Sequence, residues 1–186
     1  MLVMSCTFAF GQIRVIIPES NATPITADDW SIRGSNLYGQ DKLDEASQAF
    51  EKAIEMDPQN AFGSWYNKGL VLKKQGKYYE AIEAYDKAIE LAPKFEPAWT
   101  SKGDILSYLG KYDEAIAAYN KAIEFSPPQG EGIDPKLPYI WNSKGTILNS
   151  QGKYDEAIKA FDEAIRLDAN YTHAWGNKGS ALLGQG

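Results

Sequence analysis

Trp65-Tyr-Asn-Lys-Gly69 returns as Trp99-Thr-Ser-Lys-Gly103, Trp141-Asn-Ser-Lys-Gly145 and Trp175-Gly-Asn-Lys-Gly179, and a weaker copy, Trp30-Ser-Ile-Arg-Gly34, precedes it. A second block follows three of these: Gly76-Lys-Tyr-Tyr-Glu-Ala81, Gly110-Lys-Tyr-Asp-Glu-Ala115 and Gly152-Lys-Tyr-Asp-Glu-Ala157. An aromatic and an alanine then recur as Phe50 and Ala53, Tyr85 and Ala88, Tyr119 and Ala122, and Phe161 and Ala164. The glycines Gly34, Gly69, Gly103, Gly145 and Gly179 stand 35, 34, 42 and 34 residues apart. A recurring period of this length marks an array of supersecondary units.

Within one unit the residues specify two helices. Trp65, Gly69 and Leu72 share a helical face over 62–75. Gly69 costs that helix about 1 kcal/mol relative to alanine, so a close helix–helix approach has to offset it. Gly76 supplies the turn, and the second helix starts near Tyr78 with Glu80 complementing its dipole. Ala81, Ile82, Tyr85, Ala88 and Ile89 make an apolar stripe at offsets of three and four, and Pro93 stops the helix. Two such helices cannot cover both apolar faces, so each pair requires its neighbours. The chain divides into a tail or export-signal remnant (1–26), a first repeat (27–61), a second (62–95), a third (96–127), an inserted loop (128–137), a fourth repeat (138–171) and one further helix (172–186).

The lattice of Trp, Gly, Ala, aromatic and closing Pro over Ala27 to Gly186 resembles the tetratricopeptide repeat family. It departs from the family pattern in placing Lys or Arg before each glycine and Leu37, Leu72, Leu106, Leu148 and Leu182 where Tyr is usual. Ala169 also stands in place of a fourth closing Pro. The resemblance implies an all-α, right-handed α-solenoid of stacked antiparallel helix pairs, acting as a scaffold that binds other proteins or peptides in its concave groove. The groove positions it implies are Tyr66, Asn67, Leu70 and Lys73 in the second repeat and Thr100, Ser101, Asp104 and Tyr108 in the third. The fourth contributes Tyr139, Asn142, Ser143, Thr146 and Asn149, and the last helix His173 and Asn177. Such a polar, tyrosine-dotted lining suits hydrogen bonding to a peptide backbone with aromatic anchors. Chaperone-tail binders of the family clamp a terminal carboxylate with Lys and Asn. The matching pairs here, Ser31 and Ser35, Tyr66 and Leu70, or Thr100 and Asp104, supply neither, so no such binding is expected.

Composition narrows the remaining functions. A net charge of −6 opposes nucleic-acid binding, which needs a basic footprint. One cysteine and one histidine remove disulfide frameworks, clustered metal ligands and a histidine-based triad, so no cofactor, metal or catalytic residue is expected. The Asp113-Glu114 and Asp155-Glu156 pairs read as helix-dipole complements rather than paired catalytic acids. Lys68, Lys102, Lys144 and Lys178 form a ladder whose stems pack on apolar surface, with Glu80, Glu114 and Glu156 as neutralising neighbours. The apolar, uncharged Met1–Gly11 stretch with Ala9-Phe10-Gly11 reads as an export-signal remnant. Together with the acceptor patterns at Asn21 and Asn170, this favours an exported or cell-surface location over the cytoplasm. Trp175, Ala181, Leu182 and Leu183 keep the full repeat pattern, so the last helix is expected to expose apolar surface, and the natural chain to continue. Two rival roles follow from that: a recruiting arm of a larger enzyme whose catalytic domain lies beyond residue 186, or a surface array self-associating end to end through the uncapped helix.

Overall fold

The computed structural model describes residues 26–126 and 134–186. The proposed leader and most of the inserted loop lie outside the described residues. Nine helices and no strand occur among those described: α1 (Ala27–Gly39), α2 (Leu43–Met56), α3 (Phe62–Lys74), α4 (Tyr78–Leu91), α5 (Glu96–Tyr108), α6 (Tyr112–Phe125), α7 (Leu137–Ser150), α8 (Tyr154–Leu167) and α9 (Thr172–Gln185). Each odd helix packs on the even helix that follows, and each even helix on the next odd one, which makes an all-α solenoid of stacked helix pairs. No described helix is long and apolar enough to cross a membrane.

Local chemistry sets the helix ends. Thr26 opens α1 with a reciprocal capping box: its backbone N–H donates to the Asp29 carboxylate at 3.0 Å, and its hydroxyl accepts from the Asp29 N–H at 3.2 Å. Gly76, Gly110 and Gly152 take φ of 77°, 75° and 74°, the left-handed conformation that a side chain disfavours. There the Lys77 N–H donates to the Leu72 carbonyl at 2.9 Å and the Gly76 N–H to Lys73 at 3.0 Å, and the same closure recurs after α5 and α7. The first repeat uses Asp41 instead, at φ 64°.

One aromatic ring fills the centre of each helix pair. Phe50, Tyr85, Tyr119 and Phe161 are at most 2% exposed. Each lies across the glycine of its own repeat. A Cβ at Gly103 would sit 2.7 Å from the Tyr119 ring, and one at Gly145 2.6 Å from Phe161. Glycine is therefore kept in mid-helix because an aromatic ring from the second helix occupies the place of its side chain. Burying one such ring stabilises the pair by about 1.5–3 kcal/mol. Ala46, Ala81, Ala115 and Ala157 are fully buried, small enough to let the helices close. Leu137, at the start of α7, is tucked in at 8% exposure.

Two repeats are also tied to the connection before them through their tryptophans. The Trp99 indole N–H donates to the Pro93 carbonyl at 2.8 Å, and that of Trp175 to the Ala169 carbonyl at 3.0 Å. Around α9 the packing is incomplete, as the sequence leads one to expect. Trp175 is 53% exposed, Leu182 49% and Leu183 85%. Ala181 departs from that expectation: it is fully buried and joins Leu148 and Phe161 in the core of the fourth repeat.

Candidate protein-binding groove

The site is organised by Asp104 on α5. Gly103 lets the Tyr119 ring lie against α5, and the Tyr119 hydroxyl thereby reaches the next residue, donating to Asp104 Oδ1 at 2.9 Å. From the following repeat, the Tyr139 hydroxyl donates to the same oxygen at 2.8 Å. From the preceding repeat, Lys73 Nζ approaches Oδ2 at 3.7 Å, a loose ion pair. One carboxylate thus links three repeats. Burial, reinforced by the Asp104 charge, pushes the Tyr139 phenol up to about 12 and raises that of Tyr119 as well. Both remain protonated donors at neutral pH.

Two adjoining hollows flank Asp104. The larger, about 590 Å³, is lined by Tyr38, Leu70, Lys73, Lys74, Tyr78, Asp104, Ile105, Tyr108 and Tyr139. The shallower, about 270 Å³, shares Asp104, Tyr108 and Tyr139 and adds Ser107, Tyr119, Asn142, Ser143 and Thr146. Tyr108 is 71% exposed, with its ring 4.8 Å from that of Tyr78. Lys74 pairs with Asp41 at 2.6 Å and lies over the Tyr38 ring at 5.2 Å. A still larger hollow of about 750 Å³ sits elsewhere, between α2, α3 and α4, and shares no residue with these. Charged side chains make up about half of its lining, among them the Lys68–Glu51 pair at 3.0 Å, around Trp65, Leu72 and Ala84.

Of the residues implied by sequence, Leu70, Lys73, Asp104, Tyr108, Tyr139, Asn142, Ser143 and Thr146 line the two hollows. Asn177 extends this surface: its amide donates to Asn142 Oδ1 at 2.9 Å and to the Thr146 hydroxyl at 3.3 Å. The others are placed differently. Thr100 and Ser101 are buried at 7% and 8% exposure, because α5 is wedged between its neighbours. The Thr100 hydroxyl is turned back onto the Glu96 carboxylate one turn earlier. Tyr66 is held by aromatic contacts, 5.8 Å from Tyr85 and 5.2 Å edge-on to Phe95. Asn67, Asn149 and His173 line neither hollow, and His173 lies exposed beside the Tyr171 ring at 5.6 Å.

Sequence reading missed Tyr38, Tyr78 and the groove role of Tyr119. Tyr119 looks like an ordinary core ring, yet the first and fourth repeats carry Phe50 and Phe161 there. That hydroxyl was the available signal. The lysine ladder also has other partners than expected. Lys68 pairs with Glu51 at 3.0 Å rather than Glu80, Lys102 with Asp86 at 2.5 Å rather than Glu114, and Lys178 with Asp162 at 2.5 Å, while the expected Glu156 acts on Lys144 through its charge alone. Each paired acid belongs to the second helix of the preceding repeat, where the stacking brings it alongside. Among the described residues no group of three His, Cys, Asp or Glu side chains could hold a metal ion.

Comparison with known proteins agrees with this architecture. Tetratricopeptide repeat profiles match residues 27–60, 63–95, 97–127 and 138–171. No curated protein sequence matches the chain. Among solved structures, MamA superposes with a TM-score of 0.75 at 21% identity over 86% of this chain and 82% of its own. YrrB, a tetratricopeptide protein described as having an unusual peptide-binding site, gives 0.71 at 21% identity over 86% and 77%. A tetratricopeptide repeat protein from Parabacteroides merdae gives 0.74 at 18% over 86% and 60%. Matched repeat by repeat along most of its length, the chain belongs to the tetratricopeptide repeat family, whose fold is generally a non-catalytic scaffold for binding other proteins or peptides.

Proposed function

We propose that the concave surface around Asp104 binds an extended peptide segment of a partner protein. The observation that carries this reading is the continuity of the two hollows through Asp104, Tyr108 and Tyr139. It gives one path in which aromatic faces alternate with hydroxyl and amide groups. The exposed Tyr108 ring, tilted at 52° against the half-buried Tyr78, offers an aromatic surface for an anchoring side chain. Asn142, Ser143 and Thr146 offer donors and acceptors for a peptide backbone. Tyrosine suits this work because it presents a large rigid surface with a polar tip. The peptide-binding site described for YrrB, a protein of similar fold, supports the same choice of ligand class.

The test is a photo-crosslinking residue placed at position 108, in the groove, and in a parallel protein at Tyr79, which is 62% exposed but lines neither hollow. The expected result is partner peptides captured at 108 and not at 79, with capture lost on Asp104→Ala. Equal capture at both positions, or capture indifferent to Asp104→Ala in a protein that remains helical, would remove the groove from consideration.

A further inference from the structure

The four ladder lysines are not equivalent. The ninth residue of each even helix is Glu51 in α2, Asp86 in α4, Asn120 in α6 and Asp162 in α8. The three acids carry the ion pairs to Lys68, Lys102 and Lys178. Asn120 stands in the register that Lys144 would use, and Lys144 has no ion-pair partner among the described residues. Its Nζ lies 5.0 Å above the Trp141 ring, as Lys68 and Lys102 lie over Trp65 and Trp99, so the aromatic contact is common and only the carboxylate is missing. The ammonium is half-buried yet reachable, because it lines an open hollow of about 450 Å³.

We propose that Lys144 is the ladder lysine most readily acylated, modified by small activated acyl donors of the acyl phosphate class. The neutral amine attacks the acyl carbon, and the carbon–oxygen bond to phosphate breaks with its electron pair leaving on phosphate. The nitrogen then loses a proton to water, which leaves a neutral amide. The limiting quantity is the free amine. Burial without a paired carboxylate lowers the Lys144 affinity for its proton, with Glu156 on α8 opposing the shift. The other charges lining the hollow are Lys159, Asp162 and Glu163, also on α8. Asp162 is engaged by Lys178 from α9. On α6 the nearest acid in register is replaced by Asn120.

The experiment treats the full chain with acetyl phosphate near neutral pH and follows each lysine by peptide mass spectrometry. Lys144 should be acetylated about two- to fivefold faster than Lys102 or Lys178, the ratio a partly exposed ion pair is worth. Asn120→Asp should bring Lys144 down to the rate of the other two. Asp86→Asn should raise Lys102 toward the Lys144 rate in the same protein. Both substitutions are at helix surfaces and leave the core untouched, and circular dichroism confirms that the helices persist. Equal rates at all ladder lysines overturn the proposal, as does a Lys144 rate indifferent to Asn120→Asp.

Discussion

Gly103 and Gly179 occupy the same place in their repeats, yet one lies under an aromatic ring and the other faces open space. A Cβ on Gly103 would meet the Tyr119 ring, whereas a Cβ on Gly179 would meet nothing within 4 Å. The tryptophans differ in parallel: Trp99 is half-buried against the third and fourth repeats, while Trp175 is 53% exposed. The same short motif is therefore part of a core in one place and a surface in the other. What distinguishes them is the second helix: α6 covers Gly103, and no described helix covers Gly179. A motif of this kind is half of a contact, and glycine is useful in it only where the other half arrives.

The largest effect expected from this contrast is at the ring itself. Tyr119→Ala should destabilise the protein by roughly 3–5 kcal/mol in urea unfolding, the usual cost of emptying a core aromatic site. Trp175→Ala should cost about 1 kcal/mol or less in the same measurement, since half of that ring is already in water. Next comes Gly103→Ala, whose methyl overlaps the Tyr119 ring, with an expected loss of about 1–3 kcal/mol. Gly110→Ala tests the turn between α5 and α6, and its left-handed backbone should cost about 1–2 kcal/mol. The smallest change has the opposite sign: Gly179→Ala should stabilise by at most about 1 kcal/mol, through helix propensity alone. A Gly179→Ala protein that unfolds as easily as Gly103→Ala would break the comparison, because it would mean that both glycines are covered.

Much of the fold was legible because its lattice is local. Trp, Gly and Ala at fixed offsets name a helix face, and Gly76, Gly110 and Gly152 name the turns, without any knowledge of distant contacts. The groove was legible only in outline. Positions facing the concave side can be counted along a helix, but Thr100 and Ser101 are buried by neighbouring helices, which depends on how α5 seats between them. Asp104 was recognisable as a groove residue, whereas its role as acceptor for Tyr119 and Tyr139 depends on side chains 15 and 35 residues away converging on one oxygen. The lysine partners were misjudged for a similar reason. Glu80 and Glu114 lie within the same repeat as their lysines, and stacking instead offers Lys68 and Lys102 the acid of the repeat before; only Glu156 acts on its own lysine, Lys144.

The indole-to-carbonyl bond at two of the repeat junctions has a consequence for how freely such chains can vary. Trp99 and Trp175 address a main-chain oxygen, so Pro93 and Ala169 serve equally well as acceptors. The joint between successive units therefore tolerates a change of residue at its closing position, while a loss of the tryptophan would leave that oxygen without its donor. Drift in the proline and fidelity in the tryptophan are what this geometry permits an evolving array.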